Sequence, residues 1–260
     1  MKLVRWDTKE IIFEAECDSW SELIEGALKE GVSLKNADLE NVNLAHADLE
    51  NVSFENANLE NANLRNARLI NVNLENARLR NSSLIFADLK NADLKNADLK
   101  NADLTCARFR GAKLENAKLE NVSFENANLI NVNLVNARLR EVNFRNASLR
   151  GTSLVNTSLV NTSLISADLK NANLENVSLE NVRLNYLIAD MNIFHSMQLD
   201  TYYIAFDKEI LAIGCQQHTI AEWKNFTDDE ISEMDDNALI WWKKWKTFIF
   251  EAIRLSLEGK

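Results

Sequence analysis

The chain has 260 residues, a formal net charge of −10 and a sequence isoelectric point near 5.0. No apolar run reaches the roughly 18 residues that a membrane-spanning helix requires, and the amino-terminal sequence lacks the apolar segment of a signal peptide. Three isolated cysteines show no disulfide pattern and fit a reducing compartment. We therefore expect a cytoplasmic protein that does not enter a membrane.

The first 31 residues predict a small module made of a hairpin and a helix. Apolar residues within 3–16 flank a short polar turn, which is typical of a β-hairpin. Ser19 or Asp18 can cap a helix over residues 20–29. We expect residues 1–31 to form an amino-terminal cap on the structure that follows.

A five-residue period then runs through residues 32–186 without an insertion or deletion. These 155 residues contain 31 units, and the centre of each unit is Leu in 27 units and Phe in four. The residue two positions before the centre is small, most often Ala. A fixed short period is typical of a solenoid. Because strand side chains alternate, we expect the centre and the small residue to point inward together and the other three positions to face solvent.

The position two residues after the centre predicts a corner in every unit. It is Asn in 23 units and Gly in two, and both residue types tolerate the positive φ of a type II turn. A ligand-binding asparagine array or an ice-binding surface is the alternative interpretation. Phe86, Glu141 and Tyr186 occupy the same position and are expected to need a different corner.

The repeat units resemble those of the pentapeptide-repeat family, as in the alanine, aspartate, leucine, lysine and asparagine at 92–96. The resemblance implies an all-β solenoid, namely a right-handed quadrilateral β-helix of about 31 pentapeptide repeats with small α+β caps at both ends. Four units per coil would place residues twenty apart above one another, about 4.8 Å away. Phe124 and Phe144 are then expected to stack in the core.

The negative charge is concentrated at the two ends of the chain. Residues 1–31 carry a net charge of −4 and residues 187–260 carry −6, whereas the repeats contain 18 basic and 18 acidic residues. The resemblance implies one specific function, because relatives in the family protect DNA gyrase from quinolones by mimicking a DNA duplex. A neutral rod is a poor electrostatic copy of a polyanion. One coil nevertheless predicts an acidic ring of Asp88, Asp93, Asp98 and Asp103.

Outward basic residues form the first candidate interaction surface. They follow the face whose centres include Leu79 and Leu139, where Asp98 and Glu120 interrupt them. This basic column contains Arg78, Arg80, Lys100, Lys118, Arg138 and Arg140. It is interpreted either as a solvated charge ladder or as a docking face for an acidic partner or nucleic acid.

Outward aliphatic residues form the second candidate surface. This aliphatic group contains Val135, Val155, Val160 and Ile165, with Ile130 nearby. Exposed apolar residues that cluster usually contact something. The carboxy-terminal segment or a partner could cover them.

Residues 187–260 predict a second small module after the repeats. The sequence leaves the five-residue register, and residues 202–206 and 209–213 read as a hairpin. Two capping boxes that begin at Thr219 and Thr227 predict two short helices.

A final helix is expected over residues 236–257. Its apolar residues include Trp241, Trp242 and Trp245. These tryptophans are either the core of a carboxy-terminal cap or a dimer or target surface, where Trp is favoured.

The sequence predicts no catalytic, cofactor-binding or metal site. Cys215 and His218 have metal-like spacing, but two ligands do not make a site. The leading hypothesis is therefore a non-catalytic interaction protein, a rigid rod that binds and inhibits or sequesters a macromolecular partner. Its arrangement of modules is similar to bacterial and phage pentapeptide-repeat proteins, which suggests phage-encoded interference with host or defence proteins.

Two other functions and one assembly are kept as alternatives. The first function is duplex mimicry toward a topoisomerase such as gyrase, and the second is binding of a small ligand or nucleotide signal by the carboxy-terminal module. A protein partner is expected in the leading hypothesis, with a homodimer through the last helix as an additional expectation.

Overall fold

The computed structural model describes residues 1–178, 182–183, 187–188, 195–199, 202–206 and 208–258. A long stretch of coils separates two small modules. The helices and strands of the modules are β1 (Lys2–Val4), β2 (Ile11–Glu14), α1 (Trp20–Lys29), β3 (His195–Leu199), β4 (Tyr202–Phe206), β5 (Ile210–Ile213), β6 (Gln216–Thr219), α2 (Ile220–Asn225), α3 (Asp228–Ser232) and α4 (Ala238–Glu258).

The repeats form coils of twenty residues. Parallel bridges join residues twenty apart along the whole stretch, from Asp38 with Asn58 to Asp168 with Ile188. At each bridge, backbone hydrogen bonds join one coil to the next. For example, the Leu39 amide donates to the Asn58 carbonyl at 2.7 Å. Each coil contains four such bridge positions and therefore has four faces. The predicted stacking of residues twenty apart is confirmed.

The interior of the coils contains the two predicted inward positions. Every centre from Leu34 to Leu169 is at most 2% exposed. The rings of Phe124 and Phe144 stack as predicted, with centroids 5.2 Å apart and planes 6° apart. Where Thr replaces Ala, its hydroxyl is satisfied, because Thr152 donates to the Leu129 carbonyl at 2.7 Å. The core is therefore apolar, and its few hydroxyls are hydrogen-bonded.

The corners are uniform, and the prediction of different corners at Phe86 and Glu141 is wrong. Corner asparagines have φ between 55° and 61°, and Phe86 and Glu141 have φ of 60° and 62°. The amide after the corner donates to the preceding centre, as from Ala37 to Leu34 at 3.1 Å, which is the bond of a type II turn. Bonds to the next coil hold each corner whatever its side chain, so local preference is overridden. Tyr186 lies outside the described residues.

The amino-terminal module continues the hydrogen bonding of the first coil. β1 pairs antiparallel with β2, and on its other side the Asp38 amide donates to the Val4 carbonyl at 2.7 Å. Ser19 caps α1 by accepting a bond from the Glu22 amide at 3.2 Å. Leu23 and Ile24 are buried in the same core as the coil leucines. The predicted hairpin and helix are confirmed.

The coil register continues past residue 186. The Ile188 amide donates to the Ala167 carbonyl at 2.9 Å, and the Leu169 amide donates to the Ile188 carbonyl at 2.6 Å. Leu187 is buried at the position that is normally small. It shares the core of the coils with Ala205 of the following sheet, so a sheet rather than another coil lies next to it.

The carboxy-terminal module contains an antiparallel sheet of four strands in the order β3, β4, β5, β6. The predicted hairpin is β4 with β5, whereas β3 and β6 were not predicted. Alternation gives the sheet two faces. Ala205 and Ala212 belong to the core of the coils, and Ile204, Phe206 and Leu211 belong to a second core shared with the helices. The sheet therefore separates the last coil from the helical layer.

The three predicted carboxy-terminal helices are present. α2 and α3 begin with the expected capping boxes, in which Thr219 pairs with Glu222 and Thr227 pairs with Glu230. α4 begins two residues later than predicted and extends through Glu258.

Candidate interaction surfaces

The basic column lies on one face, and its centre is an ion pair at Asp98. Arg80 donates through Nε and Nη2 to Asp98 Oδ2 at 2.9 and 2.7 Å, and Lys118 Nζ donates to the same oxygen at 3.4 Å. Burial alone would raise the pKa of Asp98, but the hydrogen bonds from Arg80 and from the Lys100 amide outweigh it and lower the pKa. The carboxylate is therefore ionised and already neutralised.

Most of the remaining basic column is also partnered. Arg138 has no acidic partner among the residues that the structure describes. The other contacts are Arg78 over the Trp6 ring at 4.0 Å, Lys100 with Glu120 at 3.1 Å and Arg140 with Glu141 at 3.3 Å. A new acidic partner would have to displace these contacts. The arrangement therefore favours a solvated charge ladder over a docking face.

Most of the acidic ring is neutralised in the same way. Three of its members meet a basic residue one coil later, at the position twenty residues further along the chain. The pairs are Asp88 with Arg108 at 3.7 Å, Asp93 with Lys113 at 3.6 Å and Asp98 with Lys118 at 3.4 Å. Asp103 instead accepts a bond from the Thr105 hydroxyl at 2.6 Å. A ladder of paired charges lacks the continuous negative potential that duplex mimicry requires.

The aliphatic group lies on the outside of the coils. Val135 and Val155 occupy one column, and Val160 and Ile165 follow on the next two faces. All four are half-buried, and none of them is part of either hydrophobic core of the described residues. These aliphatic side chains are therefore distributed over three faces of the coils.

Trp241 and Trp242 are core residues, which corrects their inclusion in a candidate surface. Trp241 Nε1 donates to the Leu199 carbonyl at 2.9 Å, and the ring of Trp242 lies 5.1 Å from that of Trp223. Both side chains are buried between the sheet and α4 and make their contacts inside the module, so they are not available to a partner. Of the three tryptophans of α4, Trp245 is the one that is half-buried.

Phe86, which the sequence marks only as an irregular corner, is an exposed aromatic residue. Its side chain is 56% exposed, and its backbone has a φ of 60°. A bulky residue in the left-handed region is an outlier that costs about 1–2 kcal/mol. The sequence offered one signal for this exposed ring: an aromatic residue at a corner position that is usually Asn. Because corner side chains point away from the core, core packing does not explain an apolar residue there.

A cavity of about 40 Å³ lies in the carboxy-terminal module, between the sheet and the three helices. Buried rings of Trp223, Trp241 and Trp242 line it, and Cys215 and Asp235 are exposed at its mouth. The sequence did not predict this cavity, because its lining comes from six separate elements and the loops between them.

Tyr202 and Asp235 form the polar part of the cavity. The Tyr202 hydroxyl donates to Asp235 Oδ1 at 2.5 Å. Burial and this hydrogen bond raise the pKa of Tyr202 to about 12, so the phenol stays protonated. The bonds from Tyr202 and from the Asn237 amide lower the pKa of Asp235, so the carboxylate is ionised at neutral pH.

The described residues contain neither a cluster of metal ligands nor a membrane-spanning helix. Within the described ranges, no three His, Cys, Asp or Glu side chains come together as metal ligands, and this includes the pair Cys215 and His218. Among the same residues, no helix has the length and apolar character to cross a membrane.

Known proteins resemble the chain in its repeats. The family model of the pentapeptide repeat region matches residues 30–104, and the model of eight pentapeptide repeat copies matches 107–146 and 143–181. Neither model belongs to an enzyme family. No curated protein matches the chain.

Solved structures with likeness to the chain are also pentapeptide-repeat proteins. Full-length QnrB1, a plasmid-mediated fluoroquinolone resistance protein, is 17% identical over 59% of this chain and 91% of its own, with a TM-score of 0.31. HetL of the cyanobacterium Nostoc sp. strain PCC 7120, which is involved in heterocyst differentiation regulation, is 24% identical over 65% and 96%, with a TM-score of 0.23. A protein of the Arabidopsis thaliana thylakoid lumen is 28% identical over 42% and 68%, with a TM-score of 0.27.

The unbroken register, the bridges between residues twenty apart and the two family models lead to one assignment. The chain belongs to the pentapeptide-repeat family, whose members are right-handed quadrilateral β-helices.

Proposed function

We propose that the protein is a non-catalytic interaction protein whose rigid rod binds a protein partner through the corner at Phe86 and so sequesters or inhibits it. The observation that carries the proposal is the exposure of this ring on a backbone conformation that favours Asn or Gly. Fully burying a phenylalanine is worth about 1.5–3 kcal/mol, and a partner that covers the exposed part of this ring would gain a share of that free energy. The left-handed backbone costs about 1–2 kcal/mol, which the folded chain bears with or without a partner.

The surroundings of Phe86 support this proposal. Ile85 precedes it and is half-buried. Arg65 is one coil away in the column of Ile85, and its guanidinium has no partner among the described residues. Aromatic residues and arginine are enriched where interfaces carry most of their binding energy. The partner surface is therefore expected to combine an apolar pocket with an acidic rim.

The rod holds this corner rigidly before a partner arrives. The Phe86 amide donates to the Thr105 carbonyl at 3.1 Å, and the next amide, of Ala87, donates to the Leu84 carbonyl at 3.0 Å. A preorganised surface loses little conformational entropy on binding. Rigidity thus favours a binding role over a role that requires closure.

The terminal modules serve as caps in this proposal. We infer three units, with residues 1–31 on the first coil, 31 repeats over residues 32–186, and residues 187–260 on the last coil. Open coil ends expose unpaired backbone groups that invite aggregation. β1 bonds to the first coil, and the sheet face of Ala205 and Ala212 packs against the coil core at the other end.

A homodimer through α4 is a secondary part of the proposal. Ile240 is 76% exposed and Phe248 is 50% exposed, so these residues replace Trp241 and Trp242 as the accessible apolar side chains of the helix. Light scattering of the purified chain should give twice the monomer mass, and Phe248→Glu should return it to the monomer. An unchanged mass in this variant would rule out the contact.

The substitution Phe86→Asn tests the main function, because it restores the common corner residue. We expect the variant to lose the partner that the wild-type chain captures from bacterial lysate, as identified by mass spectrometry. It should also unfold with a free energy about 1–2 kcal/mol higher, since the backbone strain is relieved.

Glu141→Asn is the matched control. It also restores Asn at an irregular corner, but it removes no exposed ring. It should retain the captured partner. Identical proteins captured by wild type and Phe86→Asn would contradict the proposed surface.

A further inference from the structure

The cavity of the carboxy-terminal module has an aromatic wall. Four of its lining residues are aromatic, and they come from β4, α2 and α4: Tyr202, Trp223, Trp241 and Trp242. Tyr202 and Trp241 meet edge to face with centroids 5.0 Å apart. The negative faces of such rings attract cations, most strongly in Trp.

Asp235 supplies a negative charge at the mouth of this cavity. Its Oδ1 accepts bonds from the Tyr202 hydroxyl at 2.5 Å and the Asn237 amide at 2.9 Å. Among the described residues, no basic side chain pairs with this carboxylate, and its Oδ2 accepts no hydrogen bond. Among the lining residues that the structure describes, Asp235 is also the sole acidic or basic one. An ionised carboxylate beside aromatic rings thus lacks a counter-ion.

One ring of the cavity already contacts a cation, although the cation belongs to a residue that does not line the cavity. Lys246 Nζ lies 5.3 Å from the centroid of the Trp242 ring. The net charge of residues 187–260 is −6, which raises the local concentration of cations rather than anions. A nucleotide would bring phosphates toward Asp235 with no basic residue in the lining, so the nucleotide-signal alternative does not suit this site.

We propose that the cavity binds a small organic cation of the alkylammonium class, with its positive head beside Asp235 and its alkyl groups against the indole rings. The volume of about 40 Å³ holds about three water molecules, which is the scale of a methylated ammonium group. The proposal is independent of the Phe86 surface, because Phe86 lies in the coils and the cavity lies in the carboxy-terminal module.

The test compares choline with its uncharged isostere, 3,3-dimethylbutan-1-ol, on the full chain. Tryptophan fluorescence follows binding, and the choline methyl resonance in proton NMR should move upfield if the methyl groups lie over indole faces. We expect choline to bind at least about tenfold more tightly than the isostere. Equal affinity for the two ligands, or binding of neither, would overturn the proposal.

The variant Asp235→Asn distinguishes the contribution of the carboxylate to binding from that of the aromatic rings. It should weaken choline binding by about tenfold and leave the isostere unchanged. Asp229→Asn removes another acidic residue of the module that does not line the cavity, and it should alter neither affinity. Circular dichroism confirms that each variant is folded. Unchanged choline affinity in Asp235→Asn would show that the carboxylate plays no part and would overturn the site.

Discussion

The coils and the carboxy-terminal module bury apolar residues in opposite ways. In the coils, one large and one small residue per unit repeat along an axis, and each backbone bond is copied twenty residues later. In the module, rings of several sizes pack between a sheet and three helices, and they leave a cavity. The coils therefore fix their backbone independently of the surface sequence, whereas the module depends on individual side chains.

This difference explains why the coils can carry an unusual surface residue without losing their fold. Phe86 and Glu141 share the corner conformation of Asn because the neighbouring coils hold it. In the module, by contrast, the indole nitrogens of Trp223 and Trp241 each donate to a strand carbonyl. A surface can change in the coils without a change in the fold, but few tryptophans of the module are free to change.

The largest expected effect breaks the periodic core. Phe124 contacts two rings, with centroids 5.5 Å from Phe109 and 5.2 Å from Phe144. Phe124→Ala should lower the free energy of unfolding by about 3–5 kcal/mol, because it removes the ring and leaves a cavity. Denaturant titration followed by far-UV circular dichroism measures this loss.

Phe124→Leu is the control for the core variant, since Leu is the common centre of the units. It should recover most of the stability. A loss below about 1 kcal/mol in Phe124→Ala would mean that the coil collapses around the gap, and the picture of a rigid core would then be wrong.

An intermediate loss of stability is expected when individual tryptophans of the carboxy-terminal module are replaced. Trp223→Phe and Trp241→Phe each remove the donor to a carbonyl, which should cost about 1–3 kcal/mol. Trp223→Phe should cost more, since its acceptor belongs to the buried Leu211, whereas Leu199 is only half-buried.

Fluorescence during denaturant unfolding measures these two variants. Four of the six tryptophans lie in the module, while Trp6 and Trp20 lie at the opposite end. The fluorescence midpoint should therefore fall further than the circular dichroism midpoint. Equal shifts in both signals would show that the module and the coils unfold together.

The smallest effect is electrostatic and lies on the coil surface. The pKa of Asp98 is below its ordinary 3.8, because bonds from Arg80 and the Lys100 amide outweigh burial. A lowered pKa stabilises the fold above the unfolded-state pKa, and the contribution is lost as the pH falls through the folded-state value. Asp98→Asn should lower stability at neutral pH by up to about 1 kcal/mol.

Unfolding of Asp98→Asn and wild type across pH checks this sign. The difference between the two should shrink as the pH falls below 3.8. Asp229→Asn, outside the coils, provides the comparison for loss of one negative charge. Parallel stability curves for Asp98→Asn and wild type would contradict the assigned role of the ion pair.

The sequence predicts the coils better than it predicts anything else. A period kept over 31 units leaves one register, so the buried centres and the stacking of Phe124 on Phe144 follow directly. The corner at Phe86 was mispredicted for the same reason, because local propensity has no influence once coils are bonded above and below.

The module was predictable only where its signals are local. The capping boxes at Thr219 and Thr227 and the hairpin of β4 with β5 depend on nearby residues. β6 is a run of polar residues that resembles a loop, and it becomes a strand by pairing with β5. The three tryptophans of α4 indicated either a core or an interface, and no sequence pattern reveals which surface covers which tryptophan.

The cavity could not be predicted, since it joins residues from Tyr202 to Trp242 through tertiary packing. Asp235 is one of several acids near it in sequence. Its lack of a counter-ion is visible only when the surrounding side chains are placed.

Because the bonding pattern repeats every twenty residues, the number of pentapeptide units sets both the length of the rod and the direction in which each face points. Deleting one whole coil would shorten the molecule by a single step of about 4.8 Å and keep every face aligned. Deleting one pentapeptide would instead turn all later faces by a quarter of a revolution relative to Phe86. The length of the rod and the rotation of its faces about the rod axis can therefore be set separately. The number of units between the Phe86 corner and the carboxy-terminal module determines the angle between them.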